Sequence, residues 1–332
     1  MIRGFVEPSG EAPALARLEV LSAADAGGGR GRESEIDGLL AVELPDVAAI
    51  ESLAGRLGLA RRCLVEARPG ASFASAVAEE GRAGASAVFR RLGRSPGAVD
   101  PGVLDAGRQY LAAGGSIDLE EPRRRYWIAS ALDGTPVLLR EVAAVDRTRS
   151  SSRRMPLLPF QRPVSLPPRL ARAAANLTQL RAGDRIVDPF LGTGALLAEA
   201  ALMGARVYGI DRDPDMVRGA LRNFAHLGVE ATRIAEGDSG TIDLDGPELR
   251  FDALLTDPPY GRSSSSGGEP VREVVARVLP RWADRVRDGG RLVVVAPEGS
   301  PALPAPWVVR SAVSVRVHRS LTREFRVYVR GT

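Results

Sequence analysis

The second half of the chain alternates short apolar runs with amphipathic stretches. RIVDPF (185–190), ARVYGID (205–211), ATRIAEGD (231–238), FDALLTD (251–257) and RLVVVAP (291–297) are apolar runs of strand length. Between them TGALLAEAALMG, DPDMVRGALRNFAHLG and REVVARVLPRWADRVRDGG carry apolar residues at helical spacing. Strands alternating with helices of this length predict βαβ units and a parallel sheet covered on both faces. The last stretch changes period. WVVRSAVSVRVHRS and EFRVYVR alternate apolar and polar residues in twos around a short LTR, which predicts an antiparallel hairpin closing the sheet. The first half is less regular. Helical EAPALARLEVLSAADA, DVAAIESLAGRLGL and VLDAGRQYLAAGG are interspersed with strand-like DGLLAVEL, ASAVFRRLG and RRRYWIASAL, which predicts one or two small α+β units. The Pro- and Ser-rich SSSRRMPLLPFQRPVSLPP reads as a linker.

Composition narrows the chemistry. With one cysteine, Cys63, and two histidines, His226 and His318, disulfides, structural zinc and a Cys-His nucleophile pair are not expected. Cys63 lies in ARRCLVEA, an ordinary strand or helix edge, so it is not read as a nucleophile. All 45 basic residues are arginine, which excludes a phosphate-loop lysine and a Schiff base. The net charge is +4, with arginines concentrated at 123–125 and along DRTRSSSRRMPLLPFQRP. Guanidinium groups suit phosphate contacts and base stacking, although solvated charge accounts equally well for any single one. The N-terminal stretch has no signal-peptide core and no run reaches membrane-span length, so a cytoplasmic location is expected.

Four segments follow successive predicted strands. DPFLGTG (188–194) joins a strand to a helix, and Asp211 ends the next strand. The layout fits a dinucleotide or an adenosylmethionine site, the acid holding ribose hydroxyls in both. A dinucleotide fingerprint wants glycine at position 197, which is Leu197 here. Asp188 before the turn repels a pyrophosphate and attracts an ammonium or sulfonium, so S-adenosyl-L-methionine is favoured. Asp238 in GDSG could accept from the adenine amine, or merely build a turn. TDPPYGR (256–262) is the fourth segment. Its prolines stiffen the backbone and lack N–H groups, leaving the Asp257 carboxylate and nearby carbonyls as acceptors beside Tyr260. Two acceptors and an aromatic suit a nucleobase amine that must be unstacked to reach them, whereas a bland reading has Asp257 capping a helix.

Together DPFLGTG, GIDRDPDMV, TDPPYGRSSS and VHRSLTREFRVYV, in that order, resemble the archaeal THUMP-containing tRNA (guanine(10)-N2)-methyltransferase and dimethyltransferase family. PFQRPVSLPPRLARAAANL is similar to that family's lead-in to its catalytic domain, and VFRRLG, SIDLEEP and EVAAVDRTRSSSR resemble its THUMP region. Leu191 stands where the family commonly has cysteine. The resemblance implies an α/β, Rossmann-like class I methyltransferase domain, seven-stranded with an antiparallel terminal hairpin, at 166–332. Before it the resemblance implies a ferredoxin-like unit at 1–60, an α+β THUMP domain at 61–148 and a linker at 149–165. It implies methylation of a tRNA guanosine N2 at position 10, once or twice. No metal is expected, and the oligomeric state is not readable from the sequence, with a monomer favoured. Another tRNA or ribosomal guanosine, adenine N6, and a non-catalytic RNA-binding role are the alternatives. Asp257, Pro258 and Tyr260 are then the expected catalytic residues. Asp188, Pro189, Phe190, Gly192, Thr193, Gly194, Asp211, Arg212, Asp238, Ser239 and Asp257 are expected at S-adenosyl-L-methionine. Arg90, Arg91, Arg153, Arg154, Arg262, His318, Arg319 and Arg323 are expected on the RNA.

Overall fold

Short apolar runs in the first half pair into one mixed sheet. In the computed structural model, which describes residues 1–93, 100–146, 148, 153, 157–162, 165–259, 271–318 and 321–331, the sheet begins with β1 (Ile2–Pro8). The chain then forms helix α1 (Pro13–Ala26) before β2 (Arg30–Glu33), β3 (Leu40–Leu44), helix α2 (Val47–Arg56) and β4 (Ala60–Glu66). Helix α3 (Phe73–Arg82), β5 (Ser86–Arg91), helix α4 (Pro101–Ala112), β6 (Ser116–Ile117), β7 (Arg124–Ser130) and β8 (Pro136–Ala144) complete the half. The strand order is β2-β3-β1-β4-β8-β7-β5-β6. Residue 60 therefore marks no break: β4, which starts there, pairs antiparallel with β1. A ferredoxin-like unit ending at 60 is not delimited in this sheet.

The second half builds a second sheet of order β11-β10-β9-β12-β13-β15-β14. Helix α5 (Pro168–Leu177) leads into β9 (Arg185–Asp188), helix α6 (Ala195–Ala201), β10 (Arg206–Asp211), helix α7 (Pro214–His226) and β11 (Arg233–Glu236). Then come β12 (Phe251–Thr256), helix α8 (Val271–Ala283), β13 (Val286–Pro297), β14 (Trp307–His318) and β15 (Leu321–Arg330). Strands β9 to β13 run parallel and β15 and β14 close the edge antiparallel, as the two periodicities predict. Helices α1, α5, α6 and α7 pack on one face, around Leu15, Leu170, Leu197 and Phe224. Helix α8 packs on the other through Val278 and Trp282, against Phe251 and Leu254. This is a Rossmann-like methyltransferase architecture. Helix α8 stops at Ala283, earlier than the predicted run to Gly290, because Val286 already enters the sheet opposite Phe251.

The two compact units do not follow the halves of the sequence. One comprises Met1–Gly10, Gly27–Gly55 and Ala60–Val145, and the other comprises Glu11–Ala26, Arg56–Leu59 and Asp146–Thr332. Helix α1 and the 56–59 turn thus belong with the unit built on the second sheet. Fully buried Glu19 accepts N–H groups from Gly58 at 2.7 Å and Leu59 at 2.8 Å, and the Asn176 side-chain amide at 2.7 Å. Among the described residues no helix is long and apolar enough to cross a membrane.

Candidate active site

From β9 the chain winds outward through β10 and β11, then returns to place β12 and β13 on the other side of β9. The sheet's switch point therefore lies between β9 and β12, where open parallel sheets bind ligands beyond their carboxyl ends. Asp188 is the last residue of β9 and Asp211 the last of β10, while Asp257 directly follows β12. The four segments singled out in the sequence follow four neighbouring strands.

The turn after β9 is locked to β10. Leu191 donates its N–H to the Ile210 carbonyl at 2.8 Å, and Gly192 donates to Asp211 Oδ2 at 2.7 Å. Gly192 and Gly194 take φ of +53° and +78°, the left-handed region that favours glycine. A side chain at Gly194 would also meet the Phe224 ring at 2.9 Å. Thr193 is held by Ser165, whose hydroxyl lies 3.0 Å away, and by the Asn223 amide donating to its carbonyl.

Three carboxylates gather at this edge. Asp188 is fully buried; its Oδ1 accepts from the Phe190 N–H at 2.9 Å and from the Thr256 hydroxyl at 2.5 Å. Burial pushes its pKa up to about 7, and the Asp257 and Asp211 charges push the same way. Asp257 has one oxygen, Oδ2, 3.0 Å from Arg323 Nη1. The other, Oδ1, is buried with no hydrogen-bond partner among the described residues. Burial lifts Asp257 to about 7 despite the opposing arginine. Burial also raises Asp211, against the N–H groups of Asp213 and Gly192. Carboxylates crowded like this favour a cationic neighbour over an anionic one.

Several expected residues sit elsewhere. Arg323, expected on RNA, is 1% exposed and faces Asp257, so it is not a surface phosphate contact. Its place follows from period two in β15: Arg323 shares a face with Phe325 and Val327, both buried, a signal present in the sequence. Arg153 is likewise not free for RNA, since it grips buried Glu199 at 2.7 Å and 3.2 Å. The expected linker is partly docked: Phe160 donates its N–H to Asn223 and its ring covers Gly219. A shallow cleft opens between Phe160, Ser165 and the Thr193–Gly194 turn. Its polar groups are already engaged, Glu199 by Arg153 and Arg172 and Asn223 by Phe160 and Thr193.

Asp238 forms a surface ion pair with Arg277 at 3.2 Å, and the Gly240 N–H with that arginine holds its carboxyl below the usual range. Ser239 is buried, its carbonyl accepting from Trp282 Nε1. Pro189 is buried, Phe190 half-buried and Arg212 exposed. Arg90 is exposed, with its guanidinium near the Trp127 ring, and Arg91 donates to Ser130. Tyr260, Arg154, Arg262, Arg319 and the His318 side chain lie outside the described residues. Thr256, whose hydroxyl joins the strand before Asp257 to Asp188, was not singled out in the sequence. Among the described residues no group of three or more His, Cys, Asp and Glu is placed to hold a metal.

The family model of the RMKL-like methyltransferase domain matches residues 157–305. A protein of Methanothermococcus thermolithotrophicus, named as a probable tRNA (guanine(10)-N2)-dimethyltransferase, is 32% identical over 165 residues, 48% of this chain and 97% of that protein. The chain belongs to the tRNA (guanine(10)-N2)-dimethyltransferase family. The dimethyltransferase of Methanothermobacter thermautotrophicus is 36% identical over 64% of this chain and 63% of its own length. That of Pyrococcus abyssi is 42% identical over 51% of each. The chain thus spans about half to two thirds of these dimethyltransferases. A crystal structure of TrmN from Thermus thermophilus superposes over 99% of both chains at a TM-score of 0.51 and 21% identity, which speaks to the fold alone.

Proposed function

We propose that this protein transfers methyl groups from S-adenosyl-L-methionine to the exocyclic N2 amine of a tRNA guanosine, at position 10 as its relatives' names state for theirs. The observation that carries the proposal is Asp257 at the switch point: one oxygen ion-paired, the other buried without a partner among the described residues, and two prolines behind it. Such an oxygen is costly unless something donates to it, and an amine N–H is the donor the neighbouring proline backbone cannot supply.

The site suits S-adenosyl-L-methionine. The glycine turn is open at Gly192, where an added Cβ would meet nothing nearer than the Phe190 carbonyl at 3.9 Å. Three carboxylates with raised proton affinity favour a cation. Asp211 would hold the ribose, the 188–194 turn and Asp188 the methionine portion, and Asp238 and Ser239 the adenine. When bound, this group supplies an electrophilic methyl on a positively charged sulfur.

Asp257 Oδ1 and the Pro258 carbonyl would each accept one N–H of the flipped base's amine, drawing the nitrogen lone pair away from the ring. Tyr260 would stack against that base. As the amine takes up the methyl group, one of its protons would pass to Asp257 Oδ1, which would act as the base of the transfer. Holding the amine in line accounts for most of the rate, since proximity and fixed electrostatics are the largest effects open to such a site. Residues 61–148, as a THUMP region, and exposed arginines such as Arg90 would hold the tRNA body. The test is nucleoside mass spectrometry of unmodified tRNA treated with the protein and labelled S-adenosyl-L-methionine. N2-methylated guanosine mapped to position 10 is expected; N6-methyladenosine, another position, or label absent from RNA despite cofactor binding would overturn the proposal.

A further inference from the structure

Arg323 is one of the largest fully buried side chains in the protein. Burying a guanidinium costs several kcal/mol unless a partner compensates it, and its Nη1 faces Asp257 Oδ2 at 3.0 Å. Its position is set by the terminal hairpin. Arg323 pairs with Pro297 in the last rung of the β13–β15 ladder, at the sheet end from which β12 delivers Asp257. The next charged residues on β15 satisfy each other, Arg326 donating to Glu324 at 2.7 Å. Asp257 is thus faced by Arg323 from β15 and, on the side of β9, by the carboxylate of Asp188, which in turn feels Asp211 from β10.

We propose that Arg323 is a positioning residue for methyl transfer, pinning one oxygen of Asp257 so that the other is presented, ionised and fixed in direction, to the target amine. The inference rests on the methyl transfer proposed above. A carboxylate without this anchor could rotate about its last side-chain bond, and buried beside Asp188 it would take up a proton more readily. A protonated Asp257 donates where the amine N–H needs an acceptor. The arginine opposes both losses. In this arrangement its effect on the amine passes through Asp257.

The test compares wild type with Arg323→Gln and Arg323→Lys, with Asp257→Asn as the reference for assignment. Three quantities are read: S-adenosyl-L-methionine affinity by calorimetry, kcat and KM on unmodified tRNA against pH, and the Asp257 carboxyl titration by carbon NMR of aspartate-labelled protein. In Arg323→Gln the acid limb of kcat and the Asp257 titration both move up together by about 1–3 pH units, the effect usual for an arginine beside an aspartate. Cofactor affinity and KM for tRNA stay within about threefold, a change of less than one kcal/mol. Arg323→Lys keeps the charge and loses the planar fork, so kcat falls at every pH while the limb stays closer to wild type. An unmoved limb and titration in Arg323→Gln, or a kcat loss explained wholly by weaker cofactor binding, overturns the proposal. Should Arg323→Gln not fold, wild-type kcat in Arg323→Lys overturns it. Wild type that methylates no guanosine refutes the function instead, and the NMR titration still reads the pair.

Discussion

Asp211→Asn isolates the ribose site, because its two oxygens already have known work. Oδ2 accepts from Gly192 at 2.7 Å and Oδ1 from Asp213 at 3.0 Å. An asparagine of the same shape can accept at one position only, and its NH2 then opposes a backbone N–H at the other. Leaving one buried N–H unmatched costs about 1–3 kcal/mol. If Gly192 is the N–H that loses its partner, the turn that must receive the cofactor loosens as well. The same substitution removes the negative charge that would accept from ribose hydroxyls, a further 1.5 kcal/mol or so for a charge-assisted bond. The unmatched N–H weakens the fold whether or not cofactor is bound, so the lost ribose bond carries the affinity change and the cofactor dissociation constant should rise roughly tenfold, at 1.4 kcal/mol per decade. Calorimetric titration of S-adenosyl-L-methionine into wild type and variant, with thermal melts to confirm the fold, measures it. An affinity within twofold of wild type in a folded variant would show that the ribose does not sit on Asp211.

Gly194→Ala combines left-handed backbone strain with a methyl pressed against Phe224 at 2.9 Å, so urea unfolding should show about 2–4 kcal/mol of lost stability at unchanged slope; an unshifted midpoint would contradict the geometry. Asp188 is held near pH 7 when folded against 3.8 otherwise, so the folded chain keeps a proton that the unfolded chain has released. Its stabilising contribution is full below about pH 4, is lost as pH rises to about 7 and is flat above, and Asp188→Asn should remove that part of the slope in urea titrations across this range. Asp257→Ala should lower kcat by about 10²- to 10³-fold with cofactor affinity within a few-fold, and retained turnover would refute the two-acceptor arrangement. A fragment starting at residue 157 loses Leu15 and Ala16 from its core and the Glu19 partner of Asn176; circular dichroism should show no cooperative melt, and a sharp one with cofactor binding would refute the assignment of α1 to this unit.

The parallel strands were legible because each contains a short apolar run, most of them ending at or just before an acid, the pattern that burial on both faces favours. Asp188, Asp211 and Asp257 were found because strand ends in such a sheet are where ligands bind, and polar residues there interrupt the runs. What stayed hidden depends on contacts across long stretches of chain. The pairing of β4 with β1 is written nowhere near residue 60, and β1 itself is short and interrupted by glycine and glutamate. Arg323 and Arg153 were read by charge alone, whereas the face Arg323 shares with Phe325 and the carboxylate Arg153 finds at Glu199 decide their burial. The last turn predicted for α8 failed because RVRDGG suits a helix end as well as a strand start, and the pairing with Phe251 settles it.

The attachment of α1 to α5 sets an order for biosynthesis. Glu19 and its partner Asn176 are separated by 157 residues. A ribosome making this chain releases α1 long before its seat exists, so Ala12, Leu15 and Ala16 must wait in water while the whole first sheet is synthesised. Such distant closure is slow, and unsatisfied apolar surface invites association in the meantime. Nascent chains stalled before α5 should therefore be the form of this protein most dependent on chaperones.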